Sequence, residues 1–263
     1  MEQIREVIDI KLDELLPNKD IAPTRLHTAM RYSVFSGGKR IRPVLCVAVC
    51  EALGGTTEDA LLPACAIEAL HTYTLIHDDL PGMDNDDVRR GKPTCHKQFD
   101  EATAILAGDA LLTVSFEWLA MCGDTRLIQE LAHATGSVGT IGGQQDDMDY
   151  KVGLPTKNQL LDMHQKKTAN LVATSCVMGA MCAKAVDEDI EQMRVFGNSF
   201  GRAFQLLDDL CDNDPVTMSV IGREETMNLA EQYKADSYRA LETLANPAQL
   251  RDILDFTYSS FKL

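Results

Sequence analysis

Residues 64–87 read ACAIEALHTYTLIHDDLPGMDNDD: an apolar run with helical spacing that leads straight into five carboxylates, Asp78, Asp79, Asp84, Asp86 and Asp87. The apolar positions of Ala64–Ile76 recur without two-residue alternation and predict a helix, and Pro81-Gly82 predicts its end. Carboxylates this close repel one another. At the end of a buried-looking helix they are best tolerated around a shared hard divalent cation, because Mg²⁺ takes oxygen ligands, typically a couple of carboxylates plus substrate phosphates. With the chain turned at Pro81-Gly82, Asp78 and Asp84 are expected to face one point although six residues separate them.

The same three- and four-residue apolar spacing continues in both directions, so the predicted fold is all-α with strand content near zero. Predicted helices cover 2–16, 22–35, 40–53, 58–79, 99–121, 124–146, 157–183, 187–212, 217–245 and 247–260, separated by Gly and Pro breakers. No linker or composition shift divides the chain, which predicts one domain over 1–263, a helical bundle. A second acidic stretch, Phe204-Gln205-Leu206-Leu207-Asp208-Asp209-Leu210-Cys211-Asp212, puts Asp208 and Asp212 on one helix face among apolar neighbours. A purely solvated surface would explain one acidic run in so acidic a chain, but two at helix ends favour cation binding.

The chain carries 25 Lys+Arg against 40 Asp+Glu over 263 residues, a net charge of −15, which argues against general nucleic-acid binding. Its scarce basic residues bunch at Lys39-Arg40-Ile41-Arg42, at Arg89-Arg90-Gly91-Lys92 and at Lys166-Lys167. Arg forks, Lys point charges and a helix start after Gly37-Gly38 suit anions, so acid and base clusters together suggest metal-bridged phosphate or diphosphate substrates. The nucleotide-binding signatures G-x-x-x-x-G-K-[ST] and G-x-G-x-x-G are missing. The eight cysteines show no C-x-x-C pair and read as reduced thiols, while His77, Cys95 and His96 read as structural. The charged start lacks an apolar leader core and no run of roughly 18 apolar residues occurs, so the expectation is a cytoplasmic protein without a membrane span.

These motifs, in this order, resemble the trans-isoprenyl diphosphate synthase family of the farnesyl and geranylgeranyl type. The resemblance runs from about residue 25 to 213 and rests on five motifs. They are Gly37-Gly38-Lys39-Arg40-Ile41-Arg42-Pro43, the first aspartate motif with Arg89-Arg90-Gly91, Gly142-Gly143-Gln144, Lys167-Thr168, and Phe204-Gln205 before the second aspartates. The resemblance implies an isoprenoid-synthase bundle around a central cavity, with the two aspartate motifs facing each other across its mouth. It implies three Mg²⁺ ions held by Asp78, Asp84 and Asp208 with Asp79 and Asp212 close by. Arg89 would contact an allylic diphosphate, and Lys39, Arg42, His71 and Arg90 would hold isopentenyl diphosphate. Lys167, Thr168 and Gln205 would orient oxygen atoms toward an allylic cation. Tyr73, five residues before Asp78, would act as a floor that limits the product to C15 farnesyl diphosphate, with C20 geranylgeranyl as the alternative. A homodimer is implied, and helices 99–121 and 124–146 are apolar enough to supply its face.

The chain departs from the family after Asp212. The usual Gly-Lys and Lys-Thr-Tyr segment is missing, and Asp212-Asn213-Asp214-Pro215 runs directly into Val216-Thr217-Met218. The loss of a loop that helps close the site leaves two other readings to weigh, a terpene cyclase and a non-catalytic regulatory subunit. The complete aspartates and the Gly-Gly-Lys-Arg-Ile-Arg-Pro segment favour prenyl-chain elongation over both.

Overall fold

A computed structural model describes residues 1–261. They form two compact units, one of residues 2–44 and 61–128 and the other chiefly of 45–60 and 129 onward, named here for Asp78 and Asp208.

In the Asp78 unit, α1 (Glu2–Leu15), α2 (Thr24–Val34), the first turn of α3 (Ile41–Ala52) and most of α4 (Thr57–Asp78) lead to the acidic turn. After it come two-residue strands, β1 (Val88–Arg89) and β2 (Lys92–Pro93), then α5 (Cys95–Gln98), α6 (Glu101–Met121) and the start of α7 (Thr125–Thr135). Ile8, Leu12, Met30, Ile67, Leu70, Leu111 and Leu119 are fully buried or nearly so and make its core. The Asp100 side chain accepts from the Thr103 amide at 2.7 Å and so caps the start of α6. By length and composition α6 could cross a bilayer, which the sequence expectation did not foresee. Its Ala104, Ala107, Leu111 and Leu119 face is buried, while Ile105, Leu106 and Met121 are exposed.

In the Asp208 unit, α8 (Thr140–Tyr150), α9 (Lys157–His164), α10 (Asn170–Cys182) and α11 (Asp187–Asp212) precede α12 (Pro215–Val220), α13 (Arg223–Arg239) and α14 (Ala248–Ser259). Every residue of α10 from Leu171 to Ala180 is buried, which is why its apolar pattern has no clear face. α11 packs closely on it at Gly197, where an added Cβ would lie 2.5 Å from the Ala173 Cα. Phe196 and Phe200 stack in the core with ring centroids 6.2 Å apart. Burial of each such ring stabilises the fold by about 2–3 kcal/mol.

The structure corrects four boundaries. The expected helix 124–146 is broken between α7 and α8 at Gly136-Ser137-Val138-Gly139, and 217–245 is broken at Gly222, whose φ is +85°. The expected helix 157–183 contains a π-helical turn, Gln165–Ala169, between α9 and α10. The fourth concerns Val88–Pro93, an antiparallel hairpin with Arg89 opposite Lys92. Its turn residues, Arg90 and Gly91, have φ of +53° and +76°, the geometry of a type I′ turn. Asn or Asp would announce that turn in a sequence; Arg at the first position does not.

Candidate active site

In the Asp78 unit the acidic turn folds as its Pro-Gly pair requires. The Asp84 amide donates to the Asp78 carbonyl at 2.9 Å and the Asn85 amide to the Leu80 carbonyl at 3.1 Å, so the chain doubles back and brings the two aspartates to one end of α4. Asp79 behaves differently. Its carboxylate is buried and accepts from Arg89 Nε at 2.7 Å, with Arg89 Nη2 at 2.6 Å. Burial raises the Asp79 pKa, and Arg89 works against that rise. The guanidinium of Arg89 thus bonds to Asp79, with Asp86 at 3.5 Å.

The basic segment divides in the same manner. Arg40 is not part of an exposed anion site: it is buried and donates to Glu68 at 2.6 Å, to Asp9 at 2.9 Å and to the Val34 carbonyl at 2.5 Å. Lys39 is exposed, and Arg42 turns inward, where its Nη1 lies 3.3 Å from His71 Nε2. An Arg can only donate, so His71 accepts and is neutral. Burial holds the His71 pKa well below its ordinary value, and Arg42, Arg90, Arg40 and Arg89 push in the same direction. Burial likewise lowers the Arg42 pKa to about 10, with Arg90 adding to the effect. Arg42 Nε is buried without a hydrogen-bond partner. Arg90 donates to the Gly37 carbonyl, and a Cβ on Gly38, whose φ is +120°, would fall 2.6 Å from the Arg90 guanidinium. Gly38 is thus required by its backbone. Arg42, Arg90 and the neutral His71 come together with an unsatisfied Arg42 donor, a chemistry that fits an anion. Tyr73 is buried with its ring 5.3 Å from that of His77 in an edge contact. His96 is buried, with Nδ1 3.1 Å from Thr94 Oγ1.

In the Asp208 unit, Asp208 and Asp212 lie on the last turns of α11, half-buried and exposed respectively. The π-helical turn presents Lys166 to Asp146 at 3.0 Å and Asp162 at 2.6 Å, and Lys167 to Asp147 at 2.7 Å. These hydrogen bonds raise the Lys166 pKa, Asp162 contributing first. Thr168 Oγ1 donates to Gln205 Oε1 at 2.6 Å, and Gln205 Nε2 donates to the buried Asp209 at 2.7 Å. The sequence reading named Lys167, Thr168 and Gln205 but missed Asp146, Asp147 and Asp209. The Asp146-Asp147 pair directly after Gly142-Gly143-Gln144-Gln145 was the available signal.

Among the described residues no three His, Cys, Asp or Glu side chains converge as a ready-made metal cage. Asp78 and Asp84 flank one backbone turn at the end of α4, and Asp208 and Asp212 lie four residues apart at the end of α11, all of them oxygen donors. That donor set fits Mg²⁺, which keeps several waters and binds through one or two carboxylates plus substrate phosphate.

An all-α scaffold with aspartates at the ends of two helices and a buried, unsatisfied arginine donor beside a second arginine defines the helical isoprenoid-synthase class. The chain belongs to the polyprenyl synthetase family, whose sequence profile matches residues 23–223. It is 40% identical over 263 residues to a farnesyl diphosphate synthase of Micrococcus luteus, covering 91% of this chain and 90% of that one. It is 45% identical over 220 residues to the chloroplastic heterodimeric geranylgeranyl pyrophosphate synthase large subunit 1 of Arabidopsis thaliana. That match takes in 79% of this chain and 58% of the plant protein, so the chain spans less than two thirds of that relative. The fold superimposes on an FPP/GFPP synthase of Zymomonas mobilis with a TM-score of 0.92 at 36% identity, covering 98% and 97% of the two chains.

Proposed function

We propose that this chain is a short-chain trans-prenyltransferase that condenses isopentenyl diphosphate with C5 or C10 allylic diphosphates to give C15 farnesyl diphosphate as main product, with C15 as a further acceptor and C20 as the other outcome. The observation that carries the reading is the buried, unpartnered Nε of Arg42, set beside a neutral His71 among arginines. An unsatisfied buried donor is costly, and a diphosphate oxygen would satisfy it. Cyclisation of a single diphosphate would need no such second anion site.

Asp78, Asp84, Asp208 and Asp212 would hold Mg²⁺, three ions by likeness to the family, with Asp79 serving through its grip on Arg89. When bound, the metal supplies positive charge to the departing diphosphate. Lys39, Arg42, His71 and Arg90 hold isopentenyl diphosphate so that its double bond meets the allylic carbon as the C–O bond breaks. Thr168, held by its hydrogen bond to Gln205, turns its hydroxyl oxygen toward the allylic cation, and Lys167 takes part of the diphosphate charge. The released diphosphate accepts the proton lost in the last step. Residues 1–263 are read as one synthase domain, since the family match runs through both units. The exposed Ile105, Leu106 and Met121 of α6 support a homodimer, and a cytoplasmic setting accords with the bacterial relatives.

The test is incubation of purified protein with Mg²⁺, isopentenyl diphosphate and, separately, C5, C10 and C15 allylic diphosphates, with products identified by mass spectrometry. Condensation abolished by Asp78→Ala is expected. No condensation in any tube would overturn the reading in favour of a partner-dependent subunit.

A further inference from the structure

The connection after Asp212 is short but not loose. Asn213 takes a left-handed conformation with φ of +52°, and the Asp214 amide returns to the Asp209 carbonyl at 2.9 Å. Asp214 then caps α12, accepting from the Thr217 amide at 2.7 Å, with Pro215 in the first helical turn. This brings Thr217, which is completely buried, over Asp209, and its Oγ1 donates to Asp209 Oδ2 at 2.7 Å. Val216, Val220 and Ile221 pack against Leu160 and Met163 and hold the segment down.

Four side chains then form one line of hydrogen bonds. Thr217 donates to one Asp209 oxygen, Gln205 Nε2 to the other, and Thr168 Oγ1 to Gln205 Oε1. A carboxylate only accepts, so Asp209 forces the Gln205 amide to present nitrogen to it and oxygen to Thr168. The flipped amide would set two acceptors against each other. Thr168 has a single hydroxyl proton, and donating it to Gln205 leaves only lone pairs for anything else that approaches its oxygen. His164 Nε2 lies 3.4 Å from Asp209 Oδ2 on the remaining side.

We propose that Asp209 and Thr217 are positioning residues: they fix the amide of Gln205, and through it the direction of the Thr168 lone pairs toward the electron-poor carbon of the substrate. This inference rests on the prenyltransferase reading and deepens it. It assigns the second aspartate of the 208–212 motif to protein hydrogen bonds and not to a metal ion, and it gives the short connection a task in the site. Both oxygens of the buried Asp209 already accept from protein donors.

The experiment compares wild type with Thr217→Val, Thr217→Ser and Asp209→Asn in three measurements. These are steady-state kinetics with a C10 allylic diphosphate, calorimetric binding of Mg²⁺ plus inorganic pyrophosphate, and NMR of the Gln205 side-chain amide protons in ¹⁵N-glutamine-labelled protein. Expected for Thr217→Val is a kcat lowered about tenfold with KM for isopentenyl diphosphate unchanged, pyrophosphate binding unchanged and faster exchange of the Gln205 amide protons. Thr217→Ser should restore all of them. Asp209→Asn should lower kcat further and leave Mg²⁺-pyrophosphate affinity intact. Loss of that affinity in Asp209→Asn, or wild-type kcat and amide exchange in Thr217→Val, would overturn the inference. If wild type itself makes no prenyl product, the functional reading fails, while the amide exchange still decides whether the line of hydrogen bonds exists.

Discussion

Arg42 Nη1 stands 3.3 Å from His71 Nε2, an arrangement in which the arginine donates and the imidazole must be neutral. Burial and four neighbouring arginines pull the His71 pKa well below its ordinary value. Unfolded, the same group titrates near about 6.5. The folded pKa is the lower one, so the unfolded state binds the extra proton, and the stability contributed by His71 is complete above about pH 6.5 and lost as pH falls toward the folded value.

The first prediction follows from that sign. Thermal unfolding followed by circular dichroism should show wild type losing stability below about pH 6.5 faster than His71→Gln, which keeps an acceptor for Arg42 but has no proton to gain. Curves of equal slope would show that His71 is not the group responsible.

Arg40 and Glu68 are both nearly inaccessible and 2.6 Å apart. Removing one partner strands a charge, so Arg40→Met or Glu68→Leu alone should each cost about 3–5 kcal/mol. The double variant should recover most of that loss. Urea denaturation checks both, and additive losses in the double variant would argue that the pair is not coupled.

Gly143 sits where α8 meets the π-helical turn, and a Cβ there would lie 2.5 Å from the Lys167 amide nitrogen. The obstacle is backbone, so Gly143→Ala must move Lys167 and Thr168. A fall in kcat of about 10²-fold is expected, with a stability loss of about 1–3 kcal/mol. Steady-state kinetics beside a denaturation curve separate the two effects, and unchanged kcat would mean that the placement of this turn is unimportant.

Tyr73 is 7% exposed, and its ring is braced by His77, which itself bonds the Ile105 carbonyl at 3.0 Å. On the expectation that Tyr73 is the floor, a ring so braced would stop a growing chain. Tyr73→Ala should shift the product distribution past C15, read by mass spectrometry, at a stability cost of about 3–5 kcal/mol. A product that stays at C15 would place the floor elsewhere.

The aspartate turn was legible because its geometry is local: Pro81-Gly82 stops α4, and the return of Asp84 to Asp78 spans six residues. His71 was singled out only through the family pattern, since a lone histidine on an apolar helix otherwise reads as structural, whereas Arg42 also stood out by following Gly37-Gly38 and preceding Pro43. Arg40 was misread because burial against Glu68 depends on packing 28 residues away. Asp147 and Lys167 are 20 residues apart, and their pairing depends on a π-helical turn that apolar spacing does not announce. The breaks at Gly136–Gly139 and Gly222 were hidden because helical spacing resumes on the far side of each.

A π-helical turn is an α-helix carrying one residue more than its hydrogen-bond ladder needs. Deleting a single residue from Gln165–Ala169 would therefore leave a continuous helix from α9 into α10, soundly bonded yet rotated by about 100° on one side of the deletion. The fold would survive such a deletion more readily than the chemistry, because Lys166 and Lys167 would no longer both point at Asp146 and Asp147. A gap at this place in a homologue would mark a lineage that kept the scaffold and changed its trade.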